Sequence, residues 1–182
     1  MFTFTQTDIS GLTVIEPQVF WDERGFFMET YNQKEFQKAG ITTTFVQDNH
    51  SKSAAWVLRG LHFQTNSPQS KLVRVVSGSV YDVAVDIRSN SSTYGKWFGI
   101  LLSAENKKQL FVPQWFAHGF LTLKDNTEFV YKCDDFYDPV GEWWIIWNDP
   151  ILQIDREKYY ALSSLIISEK DQKNQIFESL SL

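Results

Sequence analysis

Cysteine is almost absent from this chain of 182 residues, where Cys133 stands alone. No intrachain disulfide and no thiolate metal cluster can therefore form, and the expected compartment is a reducing one. A fold without such staples needs a core of its own. Hydrophobic residues make up 43% of the chain, enough to build one at a length near that of a typical domain. The expectation is one domain over residues 1–182. Basic residues are in deficit too, 17 against 22 acidic for a formal charge of −5, which argues against a general nucleic-acid or anionic-membrane surface. A cleft with a few arginines could still hold an anionic small ligand. No apolar run is long enough to span a bilayer, and the start Met1-Phe-Thr-Phe-Thr-Gln-Thr-Asp lacks the basic and apolar regions of a signal peptide. The expected location is the cytoplasm. There is also no constant-period repeat, low-complexity tract or Pro-, Gly- or Ser-rich linker.

What the chain does have is β pattern. Leu72-Val-Arg-Val-Val and Val80-Tyr-Asp-Val-Ala-Val-Asp-Ile87 flank Ser77-Gly78-Ser79 and predict a β-hairpin. In the second run Tyr81, Val83, Val85 and Ile87 alternate with Asp82, Ala84 and Asp86, the period of a half-buried strand. Further β-rich runs at Trp97–Leu102, Gln109–Val112, Gly119–Leu123 and Glu128–Lys132 are spaced by short polar or Pro-containing turns, as in antiparallel sandwiches and barrels. Helical signal is sparse. Asn32-Gln-Lys-Glu35 reads as a capping box for a short helix closed by Gly40, with Phe36 on its buried face. A second start is read at Ser168-Glu-Lys-Asp171. Seven tryptophans, three of them in Glu142-Trp143-Trp144-Ile-Ile-Trp147, fit either strand and interface packing or stacking on a nucleobase.

The chain has only three histidines, His50, His62 and His118. His62, in Val57-Leu-Arg-Gly-Leu-His-Phe-Gln64, sits among apolar neighbours on an expected strand. It could be a base, a ligand or a hydrogen-bonded core residue. Arg59 and Lys71 nearby favour a phosphate-bearing partner. His118 lies in Phe111-Val-Pro-Gln-Trp-Phe-Ala-His-Gly-Phe120, where stabilising a turn and binding a ligand are both open. His50 is expected in a solvated loop. Two residues after His62 stands Gln64, not the second histidine of a mononuclear iron or manganese site, so no metal is expected. Tyr131 reads by default as strand packing and Asp171 as the acidic partner of a capping box.

Across the chain, Asp22-Glu-Arg-Gly-Phe-Phe-Met-Glu29, Phe45-Val-Gln-Asp-Asn-His-Ser51, Leu58-Arg-Gly-Leu-His-Phe-Gln64, Lys71-Leu-Val-Arg-Val75 and Tyr81-Asp-Val-Ala-Val-Asp-Ile-Arg88 resemble the dTDP-4-dehydrorhamnose 3,5-epimerase family. So do Leu102-Ser-Ala-Glu-Asn106, Pro113-Gln-Trp-Phe-Ala-His-Gly-Phe120, Tyr131-Lys-Cys133, Trp147-Asn-Asp-Pro150 and Ser168-Glu-Lys-Asp171. The resemblance implies an all-β, cupin-like jelly-roll barrel with short peripheral helices, working as a homodimer without metal or cofactor on a dTDP-linked 4-keto-6-deoxy sugar. It implies epimerisation at C3 and C5. A 3-epimerase or 3,4-ketoisomerase on a related sugar is the neighbouring alternative, and a cupin-like carbohydrate-binding module is the non-enzymatic one.

The same resemblance implies His62 as general base, Asp171 as its carboxylate partner, Tyr131 as acid on the other sugar face and Lys71 as the cation beside the ketone oxygen. Arg24, Glu29, Gln47, Asn49, Arg59, His118, Glu142 and Lys170 fall on positions that bind nucleotide, diphosphate or sugar, some across a dimer interface. A proton next to a ketone is acidic only if the enolate oxygen is met by positive charge, which Lys71 can supply. Histidine, with a reference pKa of roughly 6.5, suits the base. No net redox change occurs, and no glycine-rich dinucleotide fingerprint is present. Three departures from the family pattern stand out. Trp115 stands where the family commonly has glycine, an exchange that matters if that turn needs a positive φ. Trp143-Trp144 follow Glu142 in place of smaller or charged residues. Ile154-Asp-Arg-Glu-Lys158 lacks the usual Trp-Pro pair.

Overall fold

The structure, a computed structural model, describes residues 1–155, 159 and 165–180; Arg156, Glu157 and Lys158 of the departure just noted lie outside them. Strands are numbered in chain order. One antiparallel sheet contains β1 (Phe2–Gln6), β2 (Thr13–Pro17), β5 (Gln47–Ser53), β7 (Lys71–Ser77), β10 (Gln109–Val112) and β12 (Thr127–Cys133). Their order is β1-β2-β10-β7-β12-β5. The facing sheet holds β6 (Val57–Gln64), β8 (Ser79–Asp86), β9 (Trp97–Ser103), β11 (Phe116–Thr122) and β13 (Glu142–Trp144). It runs β13-β6-β11-β8-β9, with β14 (Ile166–Ile167) parallel to β6. Apart from both, β3 (Phe20–Asp22) and β4 (Gly25–Phe27) form a two-stranded ribbon. The result is the cupin-like jelly-roll that the resemblance implies.

Three apolar clusters hold these layers together. Between the sheets, Val73, Val75 and Phe129 meet Val80, Ala84, Leu102, Phe116 and Phe120, and Phe129 stacks on Phe120 with ring centroids 4.1 Å apart. On the outer face of the second sheet, Leu61, Tyr81, Val83, Val85 and Leu121 are covered by Ile145, Leu152 and Phe177 from later in the chain. On the outer face of the first sheet, α1 (Gln33–Lys38) sets Phe36 against Ile15, Leu72 and Phe111. Asn32 caps α1 by accepting from the Lys34 and Glu35 amides, and Gly40 at φ +88 closes it. Phe36 is fully buried, a contribution of about 2–3 kcal/mol from apolar area.

Two expectations fail here for reasons of packing. β7 and β8 are joined through Gly78 but do not pair, since β7 lies between β10 and β12 and β8 between β11 and β9. The link is a crossover between sheets, tight enough that a Cβ on Gly78 would lie 2.9 Å from the Thr127 Cα. Nor is β8 half-solvated, because every residue in it is buried. Its alternation is real, but the face of Asp82 and Ala84 points into the sandwich. A further correction concerns Ser168–Asp171, which forms a turn and no helix.

Candidate active site

Strand register sets the site. On β12, Tyr131 lies opposite Asn49 of β5 and Val73 of β7, while Cys133 lies opposite Gln47 and Lys71. Alternate residues of a strand share a face. Because Phe129 is in the inter-sheet core, Tyr131, Cys133, Asn49 and Lys71 also face inward. In the opposing sheet His118 lies opposite both His62 and the inward-facing Ala84. The pairing of β6 with β11 shifts between His118 and Phe120. Gly60 and Gly119 permit this by close approach, since a Cβ on Gly60 would sit 2.5 Å from the Gly119 Cα.

These strands enclose a cavity of about 270 Å³ lined by Asn49, Arg59, His62, Lys71, His118 and Tyr131, with Phe120 and Phe129 as apolar wall. Asp171 joins it through a 2.6 Å hydrogen bond between its Oδ1 and His62 Nε2. With Nε2–H donating to the carboxylate, Nδ1 is left as the nitrogen able to take a proton. The Ser168 hydroxyl donates to the other carboxylate oxygen and accepts from the Asp171 amide. Asp171 is thus both the acidic member of a local Ser–Asp turn and the partner of His62. Burial opposes its charged form, but the His62 ring and the Ser168 hydroxyl outweigh it and hold the carboxyl below its ordinary value.

Across the cavity, burial pushes the Tyr131 phenol up to about 12, against the pull of the Arg59 charge. It stays protonated at neutral pH. Desolvation lowers Lys71 from the ordinary lysine value, while the Glu142 and Asp82 carboxylates work to hold its proton. Cys133, fully buried beside it, is raised to about 11 chiefly by burial, so the thiol is neutral. His118 donates through Nε2 to the buried Asp82 carboxylate, 3.0 Å from each oxygen. Arg59 donates to the Ser53 hydroxyl at 3.2 Å.

A chain of hydrogen bonds runs outward from Asn49. The Gln47 amide donates to Asn49, the Tyr137 backbone N–H donates to Gln47, and the Tyr137 hydroxyl and Lys170 ammonium both donate to Glu142. Lys170 also lies 4.2 Å from the Trp144 ring centroid. Of the tryptophans weighed above, Trp147 packs on the outer cluster and Trp143 is exposed. Arg24 and Glu29 are not brought to the cavity of their own chain. Arg24 is bound to Asp22 at the ribbon tip, and Glu29 contacts Asn32 and the N-terminal amine. His50 is on β5 rather than in a loop, bonded to Glu128.

Sequence reading missed Tyr137 and Asp82. Tyr137 carried no signal beyond its residue type. Asp82 did carry one, as a carboxylate flanked on both sides by valine and alanine positions of a strand. Among the described residues no group of three or more His, Cys, Asp or Glu side chains could hold a metal ion. Trp115 adopts φ +63, so the turn before His118 does use the left-handed region and a bulky residue occupies it.

A family model described as dTDP-4-dehydrorhamnose 3,5-epimerase matches residues 6–179. The dTDP-4-dehydrorhamnose 3,5-epimerase of Methanothermobacter thermautotrophicus is 52% identical over 171 residues, 94% of this chain and 92% of that protein. The crystal structure of the enzyme of that name from Elizabethkingia anophelis superposes with a TM-score of 0.92 at 47% identity, covering 97% of each chain. A dTDP-6-deoxy-D-glucose-3,5-epimerase from Legionella pneumophila, solved in complex with dTDP-4-keto-L-rhamnose, gives 0.94 at 44% identity over 100% of this chain and 95% of that one. With identity and coverage at these levels, the chain belongs to the dTDP-4-dehydrorhamnose 3,5-epimerase family.

Proposed function

We propose that this chain converts dTDP-4-dehydro-6-deoxy-D-glucose to dTDP-4-dehydro-L-rhamnose, inverting C3 and C5 by taking and returning protons beside the 4-ketone. The observation that carries this reading is the His62–Asp171 pair on one wall of a cavity whose opposite wall presents Tyr131. His62 Nδ1 takes the proton from the carbon, and Asp171 stabilises the imidazolium that results. The electron pair moves to the ketone oxygen, where the Lys71 ammonium meets the developing charge. Tyr131 then gives its proton to the carbon from the other face, and both groups are reset by exchange with solvent. The same 4-ketone acidifies both neighbours, so one base and one acid serve C5 and C3 in turn. As proposed, these steps use side chains alone.

Arg59 is the diphosphate partner in this reading, through its guanidinium fork. Gln47, Asn49, His118, Glu142 and Lys170 hold nucleotide and sugar. Arg24 and Glu29 reach a site only as part of a homodimer. Supporting that assembly, the ribbon exposes Trp21 and Phe27 at 67% and 68%, and β5 ends its sheet with a free edge among the described residues. The whole chain is read as one catalytic domain in the cytoplasm. No helix among the described residues is long and apolar enough to cross a membrane.

Incubation with dTDP-4-dehydro-6-deoxy-D-glucose in heavy water, read by NMR, tests the reaction. Deuterium is expected at both C3 and C5. Incorporation at C3 alone would mark a one-carbon epimerase, and movement of the ketone a ketoisomerase.

A further inference from the structure

A second cavity, of about 600 Å³, shares no lining residue with the catalytic one and is bounded by Ser10, Ser89, Asn90, Ser92, Arg88 and Trp115. Trp115 is the unusual member. At φ +63 it holds a conformation unfavourable for a bulky side chain. Its backbone carbonyl accepts from the Ile87 amide, a bond that glycine would make as well and without strain. The indole belongs to none of the three apolar clusters and is 37% exposed. Neither backbone geometry nor core packing accounts for it. An outlier of this kind, on the wall of a cavity, points to a role for the ring.

The rest of the lining defines the chemistry. Ser10, Ser89, Asn90 and Ser92 are exposed, and their side chains make no hydrogen bond to the described residues. Arg88, the one charged residue, is committed: its guanidinium donates twice to Asp86 and lies 4.7 Å from the Phe116 ring centroid. The cavity therefore offers an apolar platform, uncommitted hydroxyls and an amide, and no free charge. That combination suits a ligand with a flat C–H face and many hydroxyls. It does not suit a nucleoside diphosphate.

We propose that this cavity is a second, non-catalytic site for a neutral saccharide, with a pyranose ring stacked on Trp115 and its hydroxyls bonded by Ser10, Ser89, Asn90 and Ser92. The proposal does not depend on the catalytic reading. Its test uses the full chain with the catalytic cavity saturated by dTDP, titrated with methyl α-L-rhamnopyranoside and methyl β-D-glucopyranoside and followed by saturation-transfer NMR. Saturable binding with Kd on the order of 1 mM is expected for at least one of them. Trp115→Gly should weaken it about tenfold or more while retaining parent epimerisation. Ser89→Ala with Asn90→Ala, which leaves the turn untouched, should weaken it too. Absence of saturable binding by both probes, or undiminished binding in Trp115→Gly and in the double variant, overturns the proposal.

Discussion

Asp86 shows how far a single carboxylate can be drawn into the fold. Its side chain is fully buried, which alone would raise its pKa, yet hydrogen bonds from Arg88, Ser91 and Thr93 hold it down at about 2 against an ordinary 3.8. The folded value is depressed, so the associated stability is present above about pH 4 and is lost as pH falls towards 2. The size of the shift corresponds to about 2 kcal/mol. Asp86→Asn should cost about that much in urea unfolding at neutral pH, with the gap to the parent narrowing between pH 4 and pH 2. An unchanging gap would mean that the carboxylate's charge does not matter. Asp82 and Asp86 also show where residue-level reading stopped. Period-2 alternation separates two faces of a strand but carries no label for water. Both acids lie on the buried inward face, Asp82 bonded to His118 and Asp86 to Arg88, Ser91 and Thr93.

Among the elements, those governed by neighbouring residues were legible and those governed by distant ones were not. The helix α1 follows from Asn32, Gly40 and the apolar Phe36, all within one short segment. Phe36→Ala should therefore cost about 3–5 kcal/mol, and Asn32→Ala about 1 kcal/mol through loss of the cap, both measurable by urea unfolding. A Phe36→Ala cost near that of the cap would show that α1 is not anchored by this ring. Ser168–Asp171 offers the same local pattern with a different result, because its carboxylate is taken by His62, more than a hundred residues earlier in the chain. The Ser77-Gly78-Ser79 turn and the strands on either side of it were placed correctly, but the pairing of those strands was not. Turn chemistry fixes a change of direction, whereas the partner of each strand is decided by which sheet completes its burial. The runs at Gln109–Val112 and Glu128–Lys132 were readable since each is a strand whatever its partner. Of the candidate site, the residues were located through family resemblance; the residues alone left His62, Tyr131 and Asp171 with ordinary structural explanations.

At the scale of the whole molecule, the sandwich places His62 and Tyr131, the proposed base and acid, on facing sheets, and dimerisation is proposed to bring Arg24 and Glu29 to the partner's cavity. If the ribbon acts in trans, mixing subunits of two weakly active variants, Arg24→Ala and His62→Ala, should restore about a quarter of parent activity, because half the dimers are mixed and each has one intact site. No recovery would assign Arg24 to its own chain. The facing-sheet arrangement itself is tested most directly by comparing isotope exchange with inversion in two variants, with the 4-keto substrate in heavy water followed by NMR. His62→Ala should lose both exchange and inversion. Tyr131→Phe removes only the hydroxyl from the opposite wall, so the enolate still forms and is reprotonated by His62 from the original face. Deuterium should then enter C3 and C5 with configuration largely retained, exchange outlasting epimerisation. Inversion at the parent rate by Tyr131→Phe, or by a folded His62→Ala protein, would contradict the account.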